Sequence, residues 1–387
     1  MRFGILDSWR GVAALFVALY RFQAEGWLFH LPLVRHAALF VDFFFVLSGF
    51  VIAHAYLDKI RSGPALGNFV IRRFGRLWPL HVAMFLPFLM FELLRLVSGA
   101  SDDSPPFTGY RAPGTIPVEL AFLNSVGLYA TTGWNTPSWS ISSEFWTYIL
   151  FGLLCLPARR LMLWIAAVIV AAALIIIWRY GPGHLDITFA AGTVRCLAGF
   201  FAGVVVNIGW RALRPSLPDM RAAMGAMEIP AVLLAGAFIW FAGETLASLA
   251  APLVFGVFVF VFTAESGPVS RLMGGRALRL IGDLSYSIYM TALFIALVSG
   301  RVIMAAVRQT GIGVNREIRV AGDLWDVFSF PWPGANDLLA LIYLGGVVLV
   351  SWLTWRFVEK PGREWFNALA DRMTFDEKAK AERALSN

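Results

Sequence analysis

The sequence predicts an all-α, polytopic integral membrane bundle of about ten transmembrane helices. Three observations carry this reading. Apolar residues make up 58% of the 387 positions and charged residues only 15%, whereas a water-soluble domain averages about 25% charged. Apolar runs long enough to cross about 30 Å of hydrocarbon recur along the chain. The basic residues between those runs fall mainly on alternate loops.

The runs place spans at 8–25, 37–57, 79–97, 138–157, 161–180, 187–209, 225–242, 246–264, 284–305 and 336–356. Gly, Pro and polar clusters punctuate them. Only "AGETL" divides 225–264, which therefore also reads as a re-entrant pair. The first run carries Asp7, Arg10 and Arg21 and lacks an uncharged core before a small-residue cleavage site, so it reads as a retained span rather than an export signal.

Alternate loops carry Lys59, Arg61, Arg72, Arg73 and Arg76, then Arg159 and Arg160, then Arg211, Arg214 and Arg221, then Arg271, Arg276 and Arg279. The positive-inside rule puts these loops, and both termini, in the cytoplasm. The opposite loops hold Arg35 and Arg111, with Asp102, Asp103 and Glu119 in the segment 98–137. Arg308, Arg316 and Arg319 on the last outer loop run against the rule. Residues 1–359 thus form one membrane domain, and 360–387 a short polar cytoplasmic tail.

The excess of 32 Lys and Arg over 25 Asp and Glu gives +7, and membrane sorting accounts for it without nucleic acid. Cys155 and Cys196 sit in apolar runs and read as buried thiols. None of the five histidines has metal-ligand spacing with another, so no metal site is expected.

A charge within the hydrocarbon costs roughly 2.5 to 3.5 kcal/mol even on insertion scales, so it normally faces a polar interior or an opposite charge. Arg21, Asp42, Glu144 and Arg195 fall in the outer half to the middle of their spans and are candidates for one polar cavity. Arg21 with Asp42, and Glu144 with Arg195, are the expected pairs. Arg10 lies toward the other end of the first span, where a snorkelling role competes with a functional one. Arg72, Arg73 and Arg76 suit the phosphates of an anionic donor, and suit anionic lipid equally. Ser138, Ser140, Ser142 and Ser143 put hydroxyls near Glu144, and Trp134, Asn135, Trp139 and Trp146 suggest an entrance on which a carbohydrate stacks. Ser48 and Gly49 are expected to let another helix approach the second span.

The segments "ILDSWRGVAALFVALYR", "VDFFFVLSGFVIAHAY", "RRFGRLWPLH", "NTPSWSISSEFWTYILFG", "RCLAGFFAGV", "LIGDLSYSIYM" and "WRFVEKP" resemble, in order, the signature segments of membrane-bound acyltransferase family 3. The resemblance runs from Ile5 to about Pro361. It implies a ten-helix acyltransferase of the bacterial inner membrane that moves an acyl group, commonly acetyl, from cytoplasmic acyl-CoA to a hydroxyl of an extracytoplasmic or lipid-linked carbohydrate. Acyl-CoA is then a donor substrate rather than a resident cofactor. Arg10, Asp42, Glu144, Arg195 and Glu359 match motif positions of the family, and Arg72, Arg73 and Arg76 match its basic loop.

Two positions depart from the pattern. The family's first-span histidine falls on Arg21, and a guanidinium has no lone pair with which to accept a hydroxyl proton. The family's "SYxxYLxH" reads "SYSIYMTA" here. The resemblance therefore implies an acyltransferase impaired by Arg21, either an inactivating substitution or natural divergence. A non-catalytic or transport protein on the same scaffold is the alternative. Acceptor, acyl length and oligomeric state are not legible.

Overall fold

The computed structural model describes residues 3–99, 105–127, 133–185, 187, 191–320 and 323–385. Asp102 and Asp103 lie outside the described residues, as do the side chains of Arg316 and Arg319. We label the main helices α1 (Gly4–Arg21), α2 (Phe40–Tyr56), α3 (Gly63–Ser98), α4 (Ser138–Ala158), α5 (Met162–Tyr180), α6 (Gly192–Leu213), α7 (Glu228–Ala242), α8 (Ala251–Phe262), α9 (Arg276–Thr310), α10 (Ala335–Thr354) and α11 (Lys360–Leu385). Helix thus dominates, and every expected span coincides with one.

Six continuous stretches among the described residues, rather than ten, are long and apolar enough to cross a membrane: Ala37–Tyr56, Gly63–Ser98, Ser138–Tyr180, Gly192–Ala226, Arg276–Thr310 and Ala335–Met373. The shortfall has physical causes. Helices α4 and α5 fall within one stretch because only a tight turn over Arg159–Leu161 separates them. Helix α1 carries Asp7, Arg10 and Arg21. Helices α7 and α8 have only 15 and 12 residues, or about 23 and 18 Å at 1.5 Å per residue. The described chain is therefore an all-α membrane-type bundle with one small addition, an antiparallel hairpin of β1 (Val314–Val320) and β2 (Asp323–Ser329).

Two crossings position the interior. At α1 and α9, a Cβ on Gly11 would lie 2.6 Å from Gly282 N, and one on Gly282 would lie 2.5 Å from Asp7 O. Backbone meets backbone there, as small residues allow between apolar helices. At α2 and α6, a Cβ on Gly49 would lie 1.8 Å from Phe200 O, which bears out the expectation that Gly49 admits a neighbour. The cores on either side are dominated by phenylalanine, including Phe45, Phe69, Phe151, Phe200 and Phe201.

Helix α3 starts at Ser62, whose Oγ accepts from Ala65 N at 3.4 Å, and ends at Gly99 with φ 63°. These are the N-cap and the left-handed C-terminal residue that helix ends favour. The polar segment after Glu359 continues as α11 and lies along α3. Asn68 Nδ2 donates to Ala370 O at 2.7 Å, Arg72 pairs with Asp371, and a Cβ on Gly75 would lie 2.1 Å from Phe366 Cβ. Between α10 and α11, Trp355–Glu359 form one wider π-helical turn that carries Glu359. Such turns often occur at functional positions.

Candidate functional site

Arg10, Arg73, Arg76 and Glu144 line one cavity of about 140 Å³, together with Ser48, Ser140, Tyr148, Ser285, Tyr286 and Tyr289. Five helices meet there: α1, α2, α3, α4 and α9. The α1–α9 glycine crossing lies one turn from Ser285 and brings Arg10 Nε to 2.7 Å from its Oγ. Arg10 also donates to Gly282 O at 3.4 Å and stands 3.4 Å from Asp7.

Glu144 is the sole carboxylate on the lining among the described residues. Tyr148 Oη donates to its Oε1 at 2.5 Å and lies 2.8 Å from Ser48 Oγ, so Ser48, Tyr148 and Glu144 form a continuous hydrogen-bonded chain. The residues at 144 and 148 are one helical turn apart, as is Ser140, and all three face the cavity. The other serines turn away. Ser138 donates to Glu119 at 2.7 Å, Ser142 to the carbonyl of Phe122, and Ser143 to Ser125 at 3.0 Å.

The three basic-loop arginines have different surroundings. Arg76 is held by Glu359 at 2.6 Å, whose other oxygen accepts from Ser287 at 2.8 Å. Arg72 is engaged by Asp371 and Asn68 outside the cavity. Arg73 lines the cavity with no carboxylate partner among the described residues. It donates to Tyr56 Oη at 3.3 Å, and its Nε is buried without a hydrogen bond. This split was not visible in the sequence, because Glu359 and Asp371 are almost three hundred residues away.

Both expected charge pairs are corrected. Arg195 Nε and Nη2 donate to Asp42 Oδ1 and Oδ2 at 3.0 and 2.7 Å, and Nη2 also donates to Ala38 O at 2.8 Å. The glycine-mediated approach of α2 to α6 selects this partner. Glu144 accepts from Tyr148 instead. Arg21 lies at the far end of α1, lining a second cavity of about 980 Å³ with Arg301 and Arg308.

The expected carbohydrate entrance is corrected at Trp134, Asn135 and Trp139, while Trp146 stays half-buried with its Nε1 donating to Phe122 O at 2.8 Å. Trp134 and Trp139 are 1% and 2% exposed, Trp134 Nε1 donates to Thr115 and Asn135 to Met290 O. Their faces are filled by packing and are closed to a sugar ring. Sequence reasoning gave Glu119 no role, yet it is 1% exposed on the short helix Ile116–Leu120, accepting from Ser138 and Trp134 N with His81 at 3.9 Å. Burial pushes its carboxyl up to about 7. Cys155 and Cys196 are both buried and free, as expected.

Comparison with known proteins follows the same lines. A family model described as an acyltransferase domain, that of acyltransferase family 3, matches residues 3–356. The chain is similar to Protein 2 in picA locus of Rhizobium radiobacter, 38% identical over 128 residues, which cover 33% of this chain and 63% of that protein. It is also similar to Acyltransferase MdmB of Streptomyces mycarofaciens, 36% identical over 143 residues, covering 35% of this chain and 33% of that protein. The chain thus spans less than two thirds of the length of these curated relatives. No solved structure matches. With a match from residue 3 to residue 356 and apolar helices long enough to span a bilayer, the chain belongs to acyltransferase family 3 and is an integral membrane protein.

Proposed function

We propose that the protein transfers an acyl group, acetyl by the family resemblance, from cytoplasmic acyl-CoA to a hydroxyl of an extracytoplasmic or lipid-linked carbohydrate. Ten spans in the inner membrane, with both termini cytoplasmic, are the arrangement this reading takes. The observation that carries it is the single cavity joining Arg10, Arg73 and Arg76 to Glu144. About 140 Å³ suits the acyl end of a thioester rather than a whole coenzyme A. The donor's phosphates then stay at the basic end, where Arg73 has no carboxylate partner among the described residues.

Acyl transfer needs a base for the acceptor hydroxyl and a cation for the developing oxyanion. Arg21 offers no proton acceptor, so the base role passes to Glu144, with Tyr148 and Ser48 holding its carboxylate in place. Arg195 is occupied by Asp42 and two backbone carbonyls, which leaves Arg10 to face the thioester oxygen. In the step, the acceptor hydroxyl loses its proton to Glu144, its oxygen bonds to the acyl carbon, and the carbon–sulfur bond breaks, the departing thiolate taking that proton to leave as CoA and restore the carboxylate.

The test is acceptor-dependent CoA release by the full chain in phosphatidylcholine nanodiscs, with acetyl-CoA and a panel of glycans. Glu144→Gln should lower turnover by about 10²-fold or more, the usual scale of a positioned base. Equal rates in both proteins would remove Glu144 from the mechanism. Failure of any acyl-CoA to bind would remove the donor reading.

A further inference from the structure

The second cavity is unused by this mechanism and has a distinct chemistry. Among the described residues its lining contains Arg21, Arg301 and Arg308 with Gln23 and Gln309, and no aspartate or glutamate. The remainder is apolar or aromatic, including Tyr20, Leu297 and Met304. Arg21 Nε is buried without a hydrogen-bond partner. Arg301 stacks over Phe91 with its guanidinium carbon 4.4 Å from the ring centre.

Two ordinary explanations fall short. Arg21 and Arg308 each lie in the last turn of a helix, where the C-terminal dipole favours a cation. That effect acts within one helix and does not gather three arginines around one cavity. Charge sorting also fails, because this end of α9 is the outer one in the proposed topology, and arginine there opposes the positive-inside distribution. Cations gathered in a concave, partly apolar site raise the local concentration of anions.

We propose that this cavity binds the phosphate of an organic phosphate ester through Arg21 and Arg308. The assignment rests on the acyl-transfer reading only in identifying that ester as the acceptor, a sugar phosphate whose anionic group anchors it. Arg10 and Arg21 are eleven residues apart on α1, about 16 Å along the axis, so one helix serves both cavities.

The experiment is equilibrium binding of glucose 1-phosphate and of glucose to the full chain in phosphatidylcholine nanodiscs, with no acyl-CoA present. The phosphate should tighten binding by about tenfold or more, the scale of charge-assisted hydrogen bonds. That ratio should fall as salt rises. Arg21→Gln with Arg308→Gln should bring it close to one, while Arg308→Lys, which keeps the charge, retains most of it. A ratio near one in the unaltered protein, or a preference surviving the double change in folded protein, overturns the site. Adding phosphatidylglycerol to the nanodiscs separates the sources: if that lipid abolishes the sugar-phosphate preference, a lipid headgroup occupies the cavity and the acceptor assignment falls. Glu144→Gln should leave the binding ratio intact. A phosphate preference in a protein that never turns over acyl-CoA would therefore keep the anion site and sink the acyl-transfer reading alone.

Discussion

Arg195 grips Asp42 with two prongs, Nε to Oδ1 and Nη2 to Oδ2, at 3.0 and 2.7 Å, with both side chains 1% exposed. A buried pair of this kind fastens α2 to α6. Removing one partner strands the other charge in an apolar interior. Asp42→Asn or Arg195→Leu should each destabilise the fold by about 3 to 5 kcal/mol. Asp42→Leu with Arg195→Met should recover much of that loss. Thermal unfolding in one detergent checks this, and simple additivity of the single effects would show that the two residues do not act as a pair.

The same contact shows where the sequence could and could not be read. Apolar runs and their punctuation located α1 to α10, since insertion into hydrocarbon depends on local composition, whereas the polar α11 gave no such signal. Gly49 was legible as a crossing because small residues mark close approach. Which helix arrives there was not legible, and so Arg195 rather than Arg21 could not be named as the partner of Asp42. Trp134 and Trp139 misled for a related reason: an indole signals equally well for an interface, a sugar platform or a packed core. The hairpin Val314–Ser329 was overlooked, although "VNREIRV" alternates apolar and polar residues as a two-sided strand does.

Arg72 and Arg73 are adjacent in sequence and opposite in circumstance, which makes them a matched test of the donor site. Arg72 is engaged by Asp371 and Asn68 on α11 and α3, whereas Arg73 faces the cavity with no carboxylate partner among the described residues. Arg73→Gln should weaken acetyl-CoA binding by about tenfold or more. Arg72→Gln should change it by less than about threefold, since its screened, partly exposed ion pair contributes little. Titration of each variant with acetyl-CoA decides the matter. A larger loss at Arg72 would move the phosphate contact out of the cavity and onto α11.

Glu119 provides a pH test outside the apolar spans. Its folded carboxyl keeps a proton to about 7 because burial penalises the anion, whereas the ordinary value is 4.5. Ser138, Trp134 N and His81 face it, and Asn124 donates to Ser138 at 2.7 Å. Between pH 4.5 and 7 the folded state therefore binds more protons than the unfolded one, so this group's stabilisation is lost as pH rises. The loss is on the order of 3 kcal/mol across that window and levels off above pH 7. Glu119→Gln, which is neutral throughout, should flatten the difference between melting curves taken at pH 5 and pH 8. Parallel shifts in both proteins would show that Glu119 titrates normally.

Position 21 is where the family resemblance and the geometry make different demands. The resemblance puts a histidine base there, whereas the structure puts Arg21 on the second cavity and Glu144 on the first. If Glu144 takes the acceptor proton, Arg21→His adds a base where none is needed. CoA release at saturating acceptor should then stay within about tenfold of the unaltered rate, well below the 10² to 10⁴ that a positioned base contributes. The same change replaces a permanent cation with a ring that is mostly neutral above about pH 6.5. The KM for a phosphate-bearing acceptor should therefore rise at pH 7.5 and recover partly at pH 6, while a neutral acceptor shows no such recovery. Steady-state kinetics with both acceptors at both pH values separates the two roles. A gain of about 10²-fold in turnover, without a change in KM, would return the base to position 21 and leave Glu144 as a residue that orients the acceptor.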